Sequence, residues 1–406
     1  MSSKQKTAIL SAPLARHVID RLGGPGEPPI WGFQHFSVGL EGTLGALREL
    51  LSGHVGEGFS TFKLVVGGYG TGKTHFLYHL RELAWSQGFA TCYVSLRHDE
   101  SPFHQLDLVW SALAKGLSRP LSPEELLSGS EEGMEAFLKA WYARERAKLE
   151  DSGVAGKDLG PALQARARAS VEGLENRNFA AAMRAAMQAL HDGKDDDFDE
   201  VLGWLDRAYD STAHGKLGIR RPIDRRDAFP TIRSLVQWVR NLGHRGLVFL
   251  LDEAEQTPSL STRQKDAILK NLREWIDLAS DPRFRGVLTC YAVPNENLFE
   301  GSGDVYEALK QRIQSVFQFH NPAGVKIRLD DVEGDPLEQH AQIGKKVAGI
   351  FQVAHGPLDP DGVAALVQTM AAEAHERRYV EVGHKRWFMQ HLVAGLYDLA
   401  RPAEKR

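Results

Sequence analysis

The chain has 406 residues, of which 42% are hydrophobic and 25% are charged, and its formal net charge is −4. This composition is that of a globular protein of two or three domains, and the charge excludes a globally basic nucleic-acid binder. Only Cys92 and Cys290 occur, which argues against a disulfide framework. There is no signal-peptide core and no apolar run of membrane-spanning length, so we expect a cytoplasmic protein with no membrane partner.

The first elements are a short helix at residues 14–22, a Gly- and Pro-rich break at residues 23–29, and a second helix with leucines at helical spacing from residue 40 to 51. Residues 30–41, here called the lead-in segment, precede this second helix. In nucleotide-binding folds such a segment often borders the base. Ordinary core packing of Trp31 and Phe33 is an equally good interpretation.

A glycine-rich loop follows the apolar run at residues 64–66 and precedes a helical pattern that starts at Thr74. This strand-loop-helix context predicts a phosphate-binding P-loop, because glycines let backbone N–H groups turn toward an anion at a helix N-terminus. Lys73 is expected to bridge the β- and γ-phosphates of ATP, and the Thr74 hydroxyl to bind Mg²⁺. The competing interpretation is a glycine-rich turn with a chance lysine. The predicted nucleotide contacts are Gly67, Gly68, Tyr69, Gly70, Thr71, Gly72, Lys73, Thr74 and His75.

A strand is predicted at residues 89–96, and residues 101–227 are predicted to form a helical insertion, since they exceed what one crossover helix needs. One loop of this insertion is densely basic. It could contact a phosphate backbone, but the interleaved Asp224 and Asp227 make a solvated loop or an intersubunit contact equally plausible. Its cations are Lys216, Arg220, Arg221, Arg225 and Arg226.

Residues 247–251 are continuously apolar and end in Asp252 and Glu253. The run predicts a buried parallel strand whose carboxyl end opens into a ligand crevice. Asp252 is expected to hold Mg²⁺ through water, and Glu253 to polarise an attacking water. This pair favours hydrolysis of ATP over phosphate transfer by a P-loop kinase, because no substrate pocket or arginine lid of a kinase is evident in the sequence.

An amphipathic helix at residues 262–279 and a buried strand at residues 287–293 come next. The predicted division of the chain is an N-terminal part of the ATPase core at 1–100, the helical insertion at 101–227, a C-terminal part of the core at 228–330, and a helical lid at 331–406. The fold class is therefore α/β, with a parallel sheet flanked by helices.

The order of these motifs resembles the AAA+ P-loop ATPases, especially the origin-recognition and initiator-like branch. The resemblance implies a sensor-1 polar residue at Thr289 or Asn295, with a buried strand position and a turn residue as the plain alternatives. It implies that Arg312 is an arginine finger supplied to a neighbouring subunit of a homo-oligomer, against a surface arginine on a helix. It also implies that Arg386, in Gly383-His384-Lys385-Arg386, reaches the nucleotide from the lid.

Across most of its length the chain resembles the BrxD-like ATP-binding proteins of BREX-type phage-defence systems. The resemblance is carried by the lead-in segment, the loop at residues 67–76, the helical insertion and residues 251–255. It implies an ATPase that acts on DNA or a DNA-bound partner, with a helicase or methyltransferase as partner. The alternative is a nucleotide-gated DNA- or protein-binding switch with little turnover.

Overall fold

A computed structural model describes residues 10–24, 28–97, 101–129, 132–252, 260–299, 304–318, 321–329, 335–378 and 383–401. The strands of this part are β1 (Thr61–Val66), β2 (Ala90–Ser95), β3 (Leu117–Ser118), β4 (Leu247–Asp252), β5 (Val287–Val293) and β6 (Lys326–Arg328). They form one six-stranded sheet in the order β3-β2-β4-β5-β1-β6. Only the β2–β3 pair is antiparallel, so the fold is mixed α/β around a mostly parallel sheet.

Sixteen α-helices lie in the described ranges. They are α1 (Ala12–Gly23), α2 (Glu41–Leu50), α3 (Lys73–Ser86), α4 (Leu106–Gly116), α5 (Pro123–Leu127), α6 (Met134–Asp151), α7 (Leu159–Ser170), α8 (Arg177–Asp192), α9 (Asp195–Leu205), α10 (Ser211–Lys216), α11 (Ala228–Asn241), α12 (Thr262–Leu278), α13 (Asp304–Ile313), α14 (Pro336–His355), α15 (Pro360–Arg377) and α16 (His384–Ala400). Among these helices, none is long and apolar enough to span a membrane.

The four apolar runs of the sequence form the four central parallel strands, β2, β4, β5 and β1. Every residue of β4 and β5 is buried. This is why the runs do not alternate: helices cover both faces of the sheet, so both sets of side chains are apolar. On one face, α2 and α3 pack over residues such as Val65, Leu250 and Cys290.

The opposite face of the sheet is covered by helices that include α4, α6, α8, α11 and α12. Their apolar side chains join those of β2, β4 and β5 in one continuous cluster. The helices between β2 and β4 therefore pack on the sheet directly, and Trp110 and Trp238 are fully buried among them. The predicted domain boundaries remain a prediction, since packing of this kind does not define them.

A separate helical bundle is formed by α1, α14, α15 and α16. Its core contains Val18 and Ile19 from α1 together with Phe351 and Leu392 from the C-terminal helices. The N-terminal helix thus packs with the C-terminal helices rather than against the sheet, an association that the predicted boundaries 1–100 and 331–406 do not describe. Helical periodicity predicts an apolar stripe but not its partner.

The edge strand β6 was not predicted, because its three residues are too few to show the hydrophobic pattern of a strand. Its attachment involves Lys63, which is fully buried in β1. The Lys63 ammonium donates hydrogen bonds of 2.6 Å to the carbonyls of Pro322 and Gly324 and lies 5.3 Å from the centre of the Phe317 ring. Burial lowers the pKa of Lys63 to about 8. These interactions fix the segment before β6 against the P-loop strand.

A buried carboxyl group lies where α3 meets the lead-in segment. Glu82 accepts a hydrogen bond from the backbone N–H of Gly32, and its Oε1 has no hydrogen-bond partner among the described residues. Burial raises the pKa of Glu82 from 4.5 to about 8, and the Arg81 charge offsets only part of that rise. The side chain is therefore largely neutral at pH 7 in the folded protein.

Replacing Glu82 with glutamine tests this assignment. Because the folded-state pKa exceeds the unfolded-state value, the stability from a protonated Glu82 is complete below pH 4.5 and is lost as the pH rises through 8. We expect Glu82→Gln to raise the free energy of unfolding by about 1–3 kcal/mol at pH 8 and to leave it unchanged at pH 4.5. Urea denaturation at both pH values measures this. Glu49→Gln, an exposed α2 carboxylate, is the control, and an equal effect of the two changes contradicts the assignment.

Candidate nucleotide-binding site

The glycine-rich loop joins the end of β1 to the start of α3, in the predicted strand-loop-helix arrangement. Gly70 and Gly72 have φ angles of +74° and +101°, which side-chain-bearing residues rarely adopt. A Cβ on Gly67 would lie 2.5 Å from the Thr71 hydroxyl oxygen. The loop conformation therefore requires glycine at these positions, and residues with a side chain would not fit there.

Lys73 lies inside the loop and is only 7% exposed. Its ammonium donates hydrogen bonds to the carbonyls of Gly67, at 2.8 Å, and Gly68, at 3.1 Å. The Tyr69 ring is exposed, and its centre is 5.5 Å from the Lys73 ammonium. A positive charge held at the N-terminus of α3 by the loop backbone is the electrostatic arrangement that attracts a phosphate.

The loop and the acidic strand meet through one hydrogen bond. Thr74 Oγ1 donates to Asp252 Oδ2 at 2.7 Å, although β5 lies between β1 and β4 in the sheet. Asp252 is 1% exposed at the carboxyl end of β4, and Tyr93 Oη donates to the same oxygen at 2.9 Å. A hydroxyl and a carboxylate at this separation are oxygen donors of the kind that Mg²⁺ prefers, so the residues fit the predicted metal.

A cavity of about 320 Å³ opens next to this pair, between the loop, the lead-in segment and the helical bundle. That volume is within the ordinary range for small-molecule sites. Its walls are polar where the loop contributes, whereas the lead-in segment and the bundle contribute both apolar and polar side chains. The apolar lining includes Phe36, Val38, Leu40, Ile343, Phe388 and Met389, and the polar lining includes Thr71, Lys73, Thr74, His75, Asp252, His340, Lys385 and Arg386.

The lead-in segment borders this cavity, but not through the residues singled out from the sequence. Trp31 and Phe33 are buried in the protein interior, whereas Phe36 and Leu40 line the cavity. Ser37 Oγ lies 2.7 Å from His75 Nε2. Burial is the main cause that lowers the pKa of His75 to about 3, with smaller effects of His79 and Lys385. His75 is therefore neutral at pH 7 and positions the lead-in segment without adding charge.

The bundle touches the loop at the start of α16. Lys385 Nζ donates a 2.9 Å hydrogen bond to the Thr71 carbonyl, and a Cβ on Gly70 would lie 2.9 Å from Gly383 Cα. Arg386 lines the same cavity and is exposed, and its guanidinium has no hydrogen-bond or ion-pair partner in the described ranges. Arg386 was predicted from the sequence and Lys385 was not, although two adjacent basic residues at a helix start were the available signal.

Three other predicted residues do not line this cavity in the described structure. Thr289 lies inside β5, where its hydroxyl accepts a 3.1 Å hydrogen bond from Trp275 Nε1. Asn295 is exposed after β5, and its Oδ1 accepts a hydrogen bond from the backbone N–H of Asn297. Arg312 donates to both carboxylate oxygens of Asp277, at 2.7 and 3.2 Å, within its own chain.

Glu253 lies outside the described residues, so its predicted role stays a prediction from the sequence. Asp252, its immediate neighbour, is placed as the strand prediction requires. The roles assigned to the other site residues likewise remain proposals, which the geometry above supports to different degrees.

The protein is thus a mixed α/β protein. At the carboxyl ends of its parallel strands it has a glycine-rich loop suited to binding phosphate, next to an acidic residue of a nearby strand. The chain belongs to the family of BREX system ATP-binding proteins BrxC/D, whose model matches residues 11–401. It is thus an ATP-binding protein of a phage-defence system, and the predicted BrxD-like resemblance is confirmed. No curated protein and no solved structure matches the chain.

The close approach of Gly70 to the bundle is testable with a pair of glycine variants. Gly129 has φ +72°, close to the +74° of Gly70, but a Cβ there meets nothing within 4 Å. Gly129→Ala should cost about 1–2 kcal/mol of stability from backbone strain alone. Gly70→Ala carries the same strain and must also displace α16, so we expect ATP affinity to fall about tenfold only in this variant. Titration with a fluorescent ATP analogue measures this, and equal affinities would contradict the close approach.

Proposed function

We propose that this protein is an AAA+-like ATPase that binds ATP with Mg²⁺, hydrolyses it, and uses the resulting conformational change on DNA or a DNA-bound partner. The observation that carries the proposal is the hydrogen bond between Thr74 and Asp252. It brings the metal-binding hydroxyl of the loop and the acidic strand into one pocket, as ATP hydrolysis by this class of site requires.

In this proposal the loop amides and Lys73 hold the phosphates, while Thr74 and Asp252 hold Mg²⁺, which would neutralise charge on the β- and γ-phosphates. Glu253 orients the attacking water. Arg386 supplies positive charge from α16, next to the loop to which Lys385 is already hydrogen-bonded. The apolar side of the cavity takes the base.

Two further roles rest on the AAA+ resemblance. Arg312 would act on the nucleotide of a neighbouring subunit of a homo-oligomer, which requires it to exchange its pairing with Asp277. That pair is partly exposed, so breaking it costs little. Asn295 would act as the sensor-1 residue, since β5 lies between the loop strand and the acidic strand and ends beside both. Thr289 is the weaker candidate because its hydroxyl is used by Trp275.

Two substitutions separate binding from turnover. Lys73→Ala removes the ammonium inside the loop and should abolish ATP binding, whereas Glu253→Gln should retain ATP and stop hydrolysis. Nucleotide titration and phosphate release measure the two steps, with Lys270→Ala, an exposed lysine of α12, as the control. Wild-type ATP affinity in Lys73→Ala would remove the site assignment. Slow turnover that is indifferent to DNA would favour the nucleotide-gated switch.

The basic loop at residues 216–226 supports the DNA part of the proposal. All five of its cations are exposed, and Arg225 lies 3.7 Å from Asp107. The other four, Lys216, Arg220, Arg221 and Arg226, have no ion-pair partner in the described part of the chain. Within the residues that the structure describes, these four cations have no acid in direct contact, although Asp210 lies near Lys216 and Asp227 near Arg221. A phosphate backbone would supply the ion pairs that these side chains do not form within the loop.

This loop is also held in a definite shape. Ile219 and Ile223 are buried, and Trp204 Nε1 donates a 2.8 Å hydrogen bond to the Arg221 carbonyl. The backbone N–H of Arg220 donates to Asn178 Oδ1 at 2.9 Å. Asp224 is engaged as well, because its Oδ1 accepts from the N–H of Arg226 at 2.7 Å. A rigid cationic loop loses little conformational entropy when it binds phosphates.

Removing four of these charges should weaken DNA binding. We expect the variant with alanine at 216, 220, 221 and 226 to bind duplex DNA more weakly, with a salt slope smaller by about 0.9 for each phosphate that is no longer neutralised. Fluorescence anisotropy across a salt series measures this. A variant with alanine in place of Lys157, Arg166, Arg168 and Arg184, also exposed in the same helical region, removes the same charge. Equally weakened binding by the two variants would contradict a specific surface.

A further inference from the structure

Asp252 is held from two sides. Thr74 Oγ1 and Tyr93 Oη both donate to its Oδ2 atom, at 2.7 and 2.9 Å. Tyr93 lies on β2 and is paired with Leu250 of β4, two residues before Asp252, so its ring lies on the same face of the sheet as the carboxylate. No sequence motif pointed to Tyr93, which is one residue of an ordinary-looking strand.

The Tyr93 ring packs against side chains of α3. The Tyr78 ring of α3 lies 4.9 Å from it, and the Arg81 guanidinium lies 4.5 Å from the centre of the Tyr78 ring. Arg81 is 4% exposed and donates a 2.8 Å hydrogen bond to the Ile30 carbonyl. It also forms an ion pair with Glu132 at 3.4 Å. Tyr93 is half-buried and packs on one side against this stack of side chains.

The Tyr93 hydroxyl is the donor in its hydrogen bond to Asp252, because an ionised carboxylate can only accept. Burial is the largest cause that raises the pKa of Tyr93, and the nearby Asp252 charge raises it further. Burial also raises the pKa of Tyr78. A hydrogen bond to a charged acceptor is stronger than one between neutral groups.

We propose that Tyr93 is a positioning residue that orients the Asp252 carboxylate for the Mg²⁺ of bound ATP. The inference rests on the proposed metal-binding role of Asp252. Thr74 donates to the same oxygen but is itself expected to turn toward the metal, whereas the Tyr93 hydroxyl can keep its hydrogen bond to the carboxylate when the metal binds. The stack of Tyr78 and Arg81 restrains Tyr93 in turn.

Tyr93→Phe tests this, because phenylalanine keeps the ring and removes the donor. We expect ATP affinity measured in EDTA to match the wild type, while the gain in affinity on adding Mg²⁺ falls about tenfold. The Mg²⁺ concentration for half-maximal hydrolysis should rise by a similar factor, with little change in melting temperature. Tyr142→Phe is the matched control, since it removes a hydroxyl of α6 that lies 3.4 Å from His191 Nδ1, away from Asp252, and should leave the Mg²⁺ response unchanged.

Two results would overturn the proposal. One is a Mg²⁺ response of Tyr93→Phe equal to that of the wild type. The other is an equal fall in affinity with and without Mg²⁺, which would show that the hydroxyl acts through the fold. If the wild-type protein itself bound ATP without any response to Mg²⁺, the proposed metal site would fail instead, and the two failures are thereby distinguished.

Discussion

The structure of the site depends on the meeting of Thr74 and Asp252. Thr74 follows the loop that begins at the end of β1, whereas Asp252 ends β4, and β5 lies between these two strands. The two side chains meet because β1, β5 and β4 are parallel and end at the same edge of the sheet. The α3 helix begins at that edge and directs Thr74 across β5. Had β1 and β4 run in opposite directions, the loop and the carboxylate would lie at opposite ends of the sheet. The metal fit follows from this hydrogen bond, and the role inferred for Tyr93 follows from its own hydrogen bond to the same carboxylate oxygen.

The helical bundle forms one wall of the pocket next to the loop. It combines α1 with three helices from the other end of the chain, so residues far apart in sequence share one apolar core. Through Lys385 it holds the Thr71 carbonyl, and Lys346 of α14 donates a 2.7 Å hydrogen bond to the carbonyl of Ser37 in the lead-in segment. A displacement of the bundle would thus change the loop and the lead-in segment together. This is the physical route by which nucleotide and bundle can influence each other.

Much of the core was predictable because its signals are local. Buried parallel strands require uninterrupted apolar runs, and a loop that wraps an anion requires glycines, so both patterns are visible in a few consecutive residues. The short edge strands carry no such pattern, and β6 is held by Lys63, whose partners are backbone carbonyls without a sequence signature. Arg312 and Thr289 were assigned by position in a motif order, yet Asp277 and Trp275 occupy their polar groups.

The sequence by itself determined which segments form the four central strands, which loop can cradle a phosphate, and which residue types could serve a metal. Those properties depend on neighbours within a few positions. Only the tertiary structure decided that Lys385 rather than Arg386 is hydrogen-bonded to the loop, that Phe36 rather than Trp31 lines the cavity, and that Tyr93 reaches Asp252. Such pairings join residues separated by up to 314 positions. They arise from how the sheet and helices pack in space, which no local pattern encodes.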